Sequence, residues 1–70
     1  MPNYCVNKAQ QANGDHEVHD LTSNKGCLPS PANQQALGYH SGCASAVQAA
    51  RSFFVQVNGC RWCAPTCHTT

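Results

Sequence analysis

Charge is scarce in this chain: four Lys and Arg and three Asp and Glu are all that its 70 residues carry. The basic residues Lys8, Lys25, Arg51 and Arg61 lie far apart in sequence. Nucleic-acid-binding domains usually announce themselves by clustered basic residues, so direct DNA or RNA binding has no support here. The carboxylates Asp15, Glu17 and Asp20 all fall in one polar segment, which argues against hydrolytic chemistry. A His16/His19/Asp20 grouping would bind a metal only weakly and has no pocket-building sequence around it. Long apolar runs are missing too. Nothing reaches the roughly 20 apolar residues that a membrane-spanning helix needs, and residues 1–20 lack the basic region and apolar run of a signal peptide. Read as a complete chain opening on Met1, the sequence predicts no membrane partner and a reducing, cytoplasmic setting, where disulfides do not persist.

Length adds a further constraint. Seventy residues make one small domain, 1–70, and domains of this size have marginal cores. The large apolar side chains, from Tyr4 and Val6 to Phe54 and Trp62, are scattered. What the chain does have is six cysteines and four histidines. In a reducing compartment these read first as ligands of a structural metal.

Along the chain, Tyr4-Cys5-Val6 is a short β-prone run, and Asn13-Gly14 is a strong turn signal. Glu17-Val18-His19 is a second extended candidate whose alternation sets Val18 against Glu17 and His19. Residues 22–26 read as a loop delivering Cys27. Leu28-Pro29-Ser30-Pro31 excludes a helix interior or a central strand. Ala36 to His40 is the third strand candidate, with Leu37 and Tyr39 on one face. The spacing of Cys43, Ala46, Val47, Ala50 and Phe54 predicts a helix over about residues 42–55 with Ser41 as N-cap. Asn58-Gly59 then turns the chain into its last cysteines. The expected fold is α+β: a small antiparallel sheet of two or three short strands packed on one helix, zinc-knuckle-like and metal-stabilised.

Cys60-x-x-Cys63 carries the chemistry. A structural zinc site wants four thiolate or imidazole ligands in a tetrahedron, with at least one pair two to four residues apart. Cys60 and Cys63 supply that pair, and Cys27 follows a turn on the far side of the helix. His19 is the favoured fourth ligand, because a His-loop-Cys half facing a C-x-x-C half is held from both ends of the domain. Cys67 and His68 are the alternatives. Such binding contributes about 10–16 kcal/mol in zinc-finger peptides, enough to decide whether this chain folds. Arg61 can offset the negative charge that three thiolates leave on a zinc site, and Trp62 can shield the metal or cap a thin core.

The remaining residues have plainer roles. Cys5 and Cys43 read as packing residues, a buried free cysteine behaving as a small hydrophobe. An exposed Cys43 in the first turn of a helix would instead be a reactive thiol. Cys67 can pair with Cys43 or Cys5, or join the ligand set, and six cysteines allow 15 disulfide connectivities. His16 and His40 read as solvated. A thioredoxin-like redox pair sits just ahead of a helix, whereas here the helix precedes Cys60 and Pro65 follows Cys63.

Asn7-Lys8, Ala9-Gln10, residues 13–19, Gly26-Cys27, Leu28-Pro29, Leu37-Gly38, Cys43, Ala46-Val47, Ala50, Asn58-Gly59-Cys60, Cys63 and Cys67-His68 together resemble a family of short uncharacterised bacterial Cys/His-rich proteins. That resemblance implies a stand-alone bacterial domain. More distantly, the order of strand, cysteine loop, strand, Ala-rich helix and C-x-x-C is similar to the zinc-binding N-terminal domain of the Ada alkylation-repair protein. There four cysteines hold zinc and one accepts a methyl group from DNA phosphate. The likeness implies Cys27, Cys60 and Cys63 as ligands. The upstream loop has one cysteine where that domain has two, so His19 stands in, and the chain lacks a basic patch.

The reading with most support is a non-enzymatic domain built on one structural zinc ion, acting as a small interaction module for an unknown partner, with a protein as the first candidate. Nucleic acid enters by analogy only. The alternatives are a thiol-chemistry protein, either methyl acceptor or redox carrier, and a disulfide-stapled exported protein.

Overall fold

A computed structural model describes residues 3–23 and 26–69. The expected loop over residues 22–26 includes Asn24 and Lys25, which lie outside the described residues. Four strands, β1 (Asn3–Asn7), β2 (His16–Asp20), β3 (Gln34–Tyr39) and β4 (Val57–Gly59), and one helix, α1 (Cys43–Ala50), follow one another with α1 between β3 and β4. The sheet order is β3-β1-β2-β4. β1 is antiparallel to both β2 and β3, while β4 runs parallel to β2. The class is α+β, as expected, with the helix packed against the sheet.

The β1–β2 connection is built where Asn13-Gly14 predicts a turn. Gly14 has φ 92°, a left-handed conformation that glycine adopts without a Cβ penalty. Its N–H donates to the Gln11 carbonyl at 2.9 Å, and the Gln11 N–H donates to that of Asp15 at 2.8 Å. The pairing that follows sets Tyr4 opposite Asp20, Cys5 opposite His19 and Val6 opposite Val18. Side chains alternate along a strand, so this register sorts the sheet into two faces. Tyr4, Val6 and Val18 join Ala46 and Ala50 of α1 in one buried cluster, with Leu37, Cys43, Val47, Phe54 and Val57 against it. Cys5, Glu17 and His19 are left for the opposite face. Ala46 and Ala50, both fully buried, are small enough for the helix backbone to lie close to the strands.

Two elements depart from the sequence expectation. α1 begins after Gly42, with no side-chain cap bond, and ends at Ala50. Past it the amides of Arg51, Ser52 and Phe53 bond three residues back, to the carbonyls of Gln48, Ala49 and Ala50, the tightened last turn that often closes a helix. The β-branched and aromatic run Phe53-Phe54-Val55 gives little propensity to continue. Phe54 instead stacks on the His16 ring, with centroids 3.8 Å apart. The second departure is β4, a fourth strand that makes the sheet mixed. Its parallel pairing with β2 is possible because α1 lies in the connection between them, as parallel strands require a long crossover. Among the described residues no helix is long and apolar enough to cross a membrane.

Candidate metal centre

His19 stands on the β2 face turned away from α1, with 1% of its surface exposed. Cys27 enters from the loop that follows β2, directly after Gly26, whose φ of 75° turns the chain sharply. Cys60 follows β4 and prolongs its pairing: the Cys60 N–H donates to the Val18 carbonyl at 2.9 Å. The chain then folds back in a turn closed by the Ala64 N–H on the Cys60 carbonyl at 2.9 Å. Inside that turn the Trp62 N–H points at Cys60 Sγ at 3.4 Å.

The structure brings His19, Cys27, Cys60 and Cys63 together, with one ligand atom from each and all four atoms within 4.8 Å of one another. This is the set favoured from sequence. His19 Nδ1 lies 3.4 Å from Cys63 Sγ. Two ligands on a tetrahedral zinc would be about 3.5 Å apart, given Zn–N near 2.0 Å and Zn–S near 2.3 Å, so the His19–Cys63 separation suits two ligands of one ion. His19 and Cys60 are buried, Cys27 and Cys63 half-buried. The arrangement can therefore bind a metal ion.

Electrostatics agree with that reading. Burial pushes the Cys63 thiol well up, the Cys27 and Cys60 thiols add to this, and the Asp20 N–H pulls the other way. Burial lowers His19, against the nearby Glu17 carboxylate, which raises it. A lowered imidazole is neutral at pH 7, the form that ligates metals. Cysteine ligates metal as the thiolate, and a bound divalent ion supplies the positive charge that balances it.

Opposite His19 on the neighbouring strand, Cys5 is fully buried, and burial raises its thiol to about 11, in keeping with a packing role. Beside the centre, Glu17, Gly26, Cys27 and Trp62 line an open depression of about 500 Å³. Trp62 is 59% exposed, and the Arg61 guanidinium lies 5.2 Å from its ring centroid.

The alternative ligands are engaged elsewhere. Cys67 is in a disulfide with Cys43, their Cα atoms 6.2 Å apart. His68 Nδ1 donates to the Gly59 carbonyl at 3.0 Å. Two histidines read as solvated have structural partners: His16 Nδ1 donates to the Asn7 carbonyl at 2.9 Å, and His40 Nε2 donates to that of Leu37 at 2.9 Å. Sequence reading also missed the polar support of β4. Gln56 Nε2 donates to Asp15 Oδ1 at 2.7 Å, and Asn58 Nδ2 to Asp15 Oδ2 at 3.4 Å. Asn58 Oδ1 in turn accepts the Thr69 N–H at 3.0 Å, so the segment that presents Cys60 is fastened on both sides. Asp15 immediately follows the Asn13-Gly14 turn, a local cue to a fixed carboxylate, but nothing local points to Gln56.

No family model matches this chain, nor does any curated protein or solved structure.

Proposed function

We propose that this chain is a non-enzymatic, cytoplasmic zinc-binding domain whose one ion, held by His19, Cys27, Cys60 and Cys63, is structural, and which acts as a small interaction module. The observation that carries the reading is the convergence of these four side chains from three separate parts of the chain. Three sulfurs and one imidazole nitrogen make a four-membered donor set, the composition that suits zinc in structural sites. Such an ion ties β2, the Cys27 loop and the turn after β4 to one point. The exposed Trp62 beside the centre supports a protein partner, since Trp is the residue most enriched at binding hot spots.

Native mass spectrometry of protein purified under reducing conditions tests the metal. One zinc per chain, lost on denaturation, together with unfolding on strong chelation, is the expected result. A metal-free chain that stays folded under a chelator would overturn the reading.

The Cys43–Cys67 disulfide favours a second reading, a disulfide-stapled exported protein, because such bonds persist in oxidising compartments. Counting free thiols by alkylation in protein taken directly from its native cells separates the two. Six free thiols support the cytoplasmic module, and a blocked Cys43 and Cys67 the exported one.

A further inference from the structure

We infer that His19 binds its metal through Nδ1, and that Glu17 is the positioning residue that holds the ring in place by accepting a hydrogen bond from Nε2–H. The inference rests on the metal reading above and adds to it a donor atom and a residue outside the ligand set.

Two observations carry it. The first is orientation: Nδ1 is the ring nitrogen that faces the thiols, at 3.4 Å from Cys63 Sγ. The second is an orphan. Among the described residues, His19 Nε2 is the one buried side-chain nitrogen or oxygen without a hydrogen-bond partner, and Glu17 Oε1 lies 3.7 Å from it. A neutral imidazole that gives its Nδ1 lone pair to a metal must carry its proton on Nε2. That N–H is enclosed by protein and needs an acceptor. Glu17 is placed to be that acceptor by the strand itself. It sits two residues before His19 on the same face of β2, so the carboxylate and the ring stand side by side. For the bond to form, rotation about the Glu17 side-chain bonds has to close the 3.7 Å gap.

Such a bond does two things. It fixes the tautomer and the ring orientation, and it makes the imidazole a better donor, as carboxylate partners of metal-bound histidines do generally. It also explains why a carboxylate stands beside a buried imidazole in a chain with only three Asp and Glu. With Nδ1 protonated instead, that proton would point at the thiols and Nε2 would lack a donor, leaving both nitrogens badly matched to their surroundings.

The test uses zinc-loaded protein and three variants, Glu17→Gln, Glu17→Asp and Glu17→Ala. Long-range proton–nitrogen NMR of the wild type should show a metal-bound Nδ1 and a protonated Nε2 whose proton exchanges slowly with water. Zinc affinity, measured against a competing chelator, should fall about tenfold in Glu17→Gln, which keeps an acceptor without the charge, and towards 100-fold in Glu17→Ala, with part of the loss recovered in Glu17→Asp. The Nε2 proton should exchange faster in Glu17→Ala, while the thiolate charge-transfer bands of the cobalt-substituted protein persist, which a general loss of structure would not allow. A metal-bound Nε2, or zinc affinity unchanged in Glu17→Ala, would overturn the inference while leaving the zinc site standing. A wild-type chain that takes up no zinc would overturn both.

Discussion

Gly59 has no room for a side chain. A Cβ built on it would lie 2.6 Å from Cys67 Cβ and 2.7 Å from the Cys67 carbonyl carbon, and backbone cannot yield as the tip of a long side chain can. The tail crosses directly over this residue, which itself precedes Cys60 of the candidate metal centre. Gly59→Ala should therefore destabilise the fold by about 1–3 kcal/mol, the usual range for overpacking, in urea unfolding of the metal-loaded protein. An unchanged midpoint would mean that the tail moves aside freely. At this scale much of the site was legible. Cys60 and Cys63 are recognisable because their spacing is a local property of one turn, and His19 because it and Cys27 make a His-loop-Cys half that can face that pair. Glu17 was assigned to the same face as His19, but its pairing with the ring depends on which way the imidazole turns. That is decided by Cys63, 44 residues further along the chain, and no local pattern records it.

At the level of elements, the amphipathic spacing gave the position of α1 and the core-facing residues Ala46 and Ala50, yet it overran the helix end. Period alone continues through Phe54, whereas the structure uses Phe54 to cover His16. β4 was invisible for the opposite reason. Its sequence, Val57-Asn58-Gly59, has the local chemistry of a turn, and only its pairing with β2 and the buried Asp15 beside Asn58 make it a strand. The Cys43–Cys67 bond joins α1 to the short 3-10 turn Pro65–Cys67 that follows the C-x-x-C turn. It closes a loop with a sequence separation of 24, for which chain-entropy estimates give about 3.5 kcal/mol. Reducing this bond in a zinc-loaded sample should lower the unfolding free energy by that order, read from denaturant curves with and without a phosphine reductant that spares bound zinc. Coincident curves would show that packing alone holds the tail on the helix.

For the molecule as a whole, the sheet is a middle layer, with the α1 core on one face and the candidate metal centre on the other. The register of β1 against β2 decides which residue goes to which side, and a slip of one residue would exchange Val18 and His19 between oil and metal. Residues 57–69 serve both faces: β4 pairs with β2, Cys60 and Cys63 enter the metal centre, and Cys67 bonds to α1. The two staples are therefore mechanically in series along one short segment, and they should be coupled in free energy. A disulfide that holds the tail against α1 and Gly59 restricts the turn carrying Cys60 and Cys63, so less ordering remains to be done when the metal binds. By linkage the metal must favour the bonded tail by the same factor. Replacing both Cys43 and Cys67 by Ala removes the bond without adding a competing thiol, and zinc affinity in that variant should be about tenfold weaker by chelator competition, within the common range of coupling between sites. Equal affinities would mean that β4 pairing, with the His68 and Thr69 bonds to Gly59 and Asn58, is sufficient to hold the turn, and the disulfide would then serve the helix face alone.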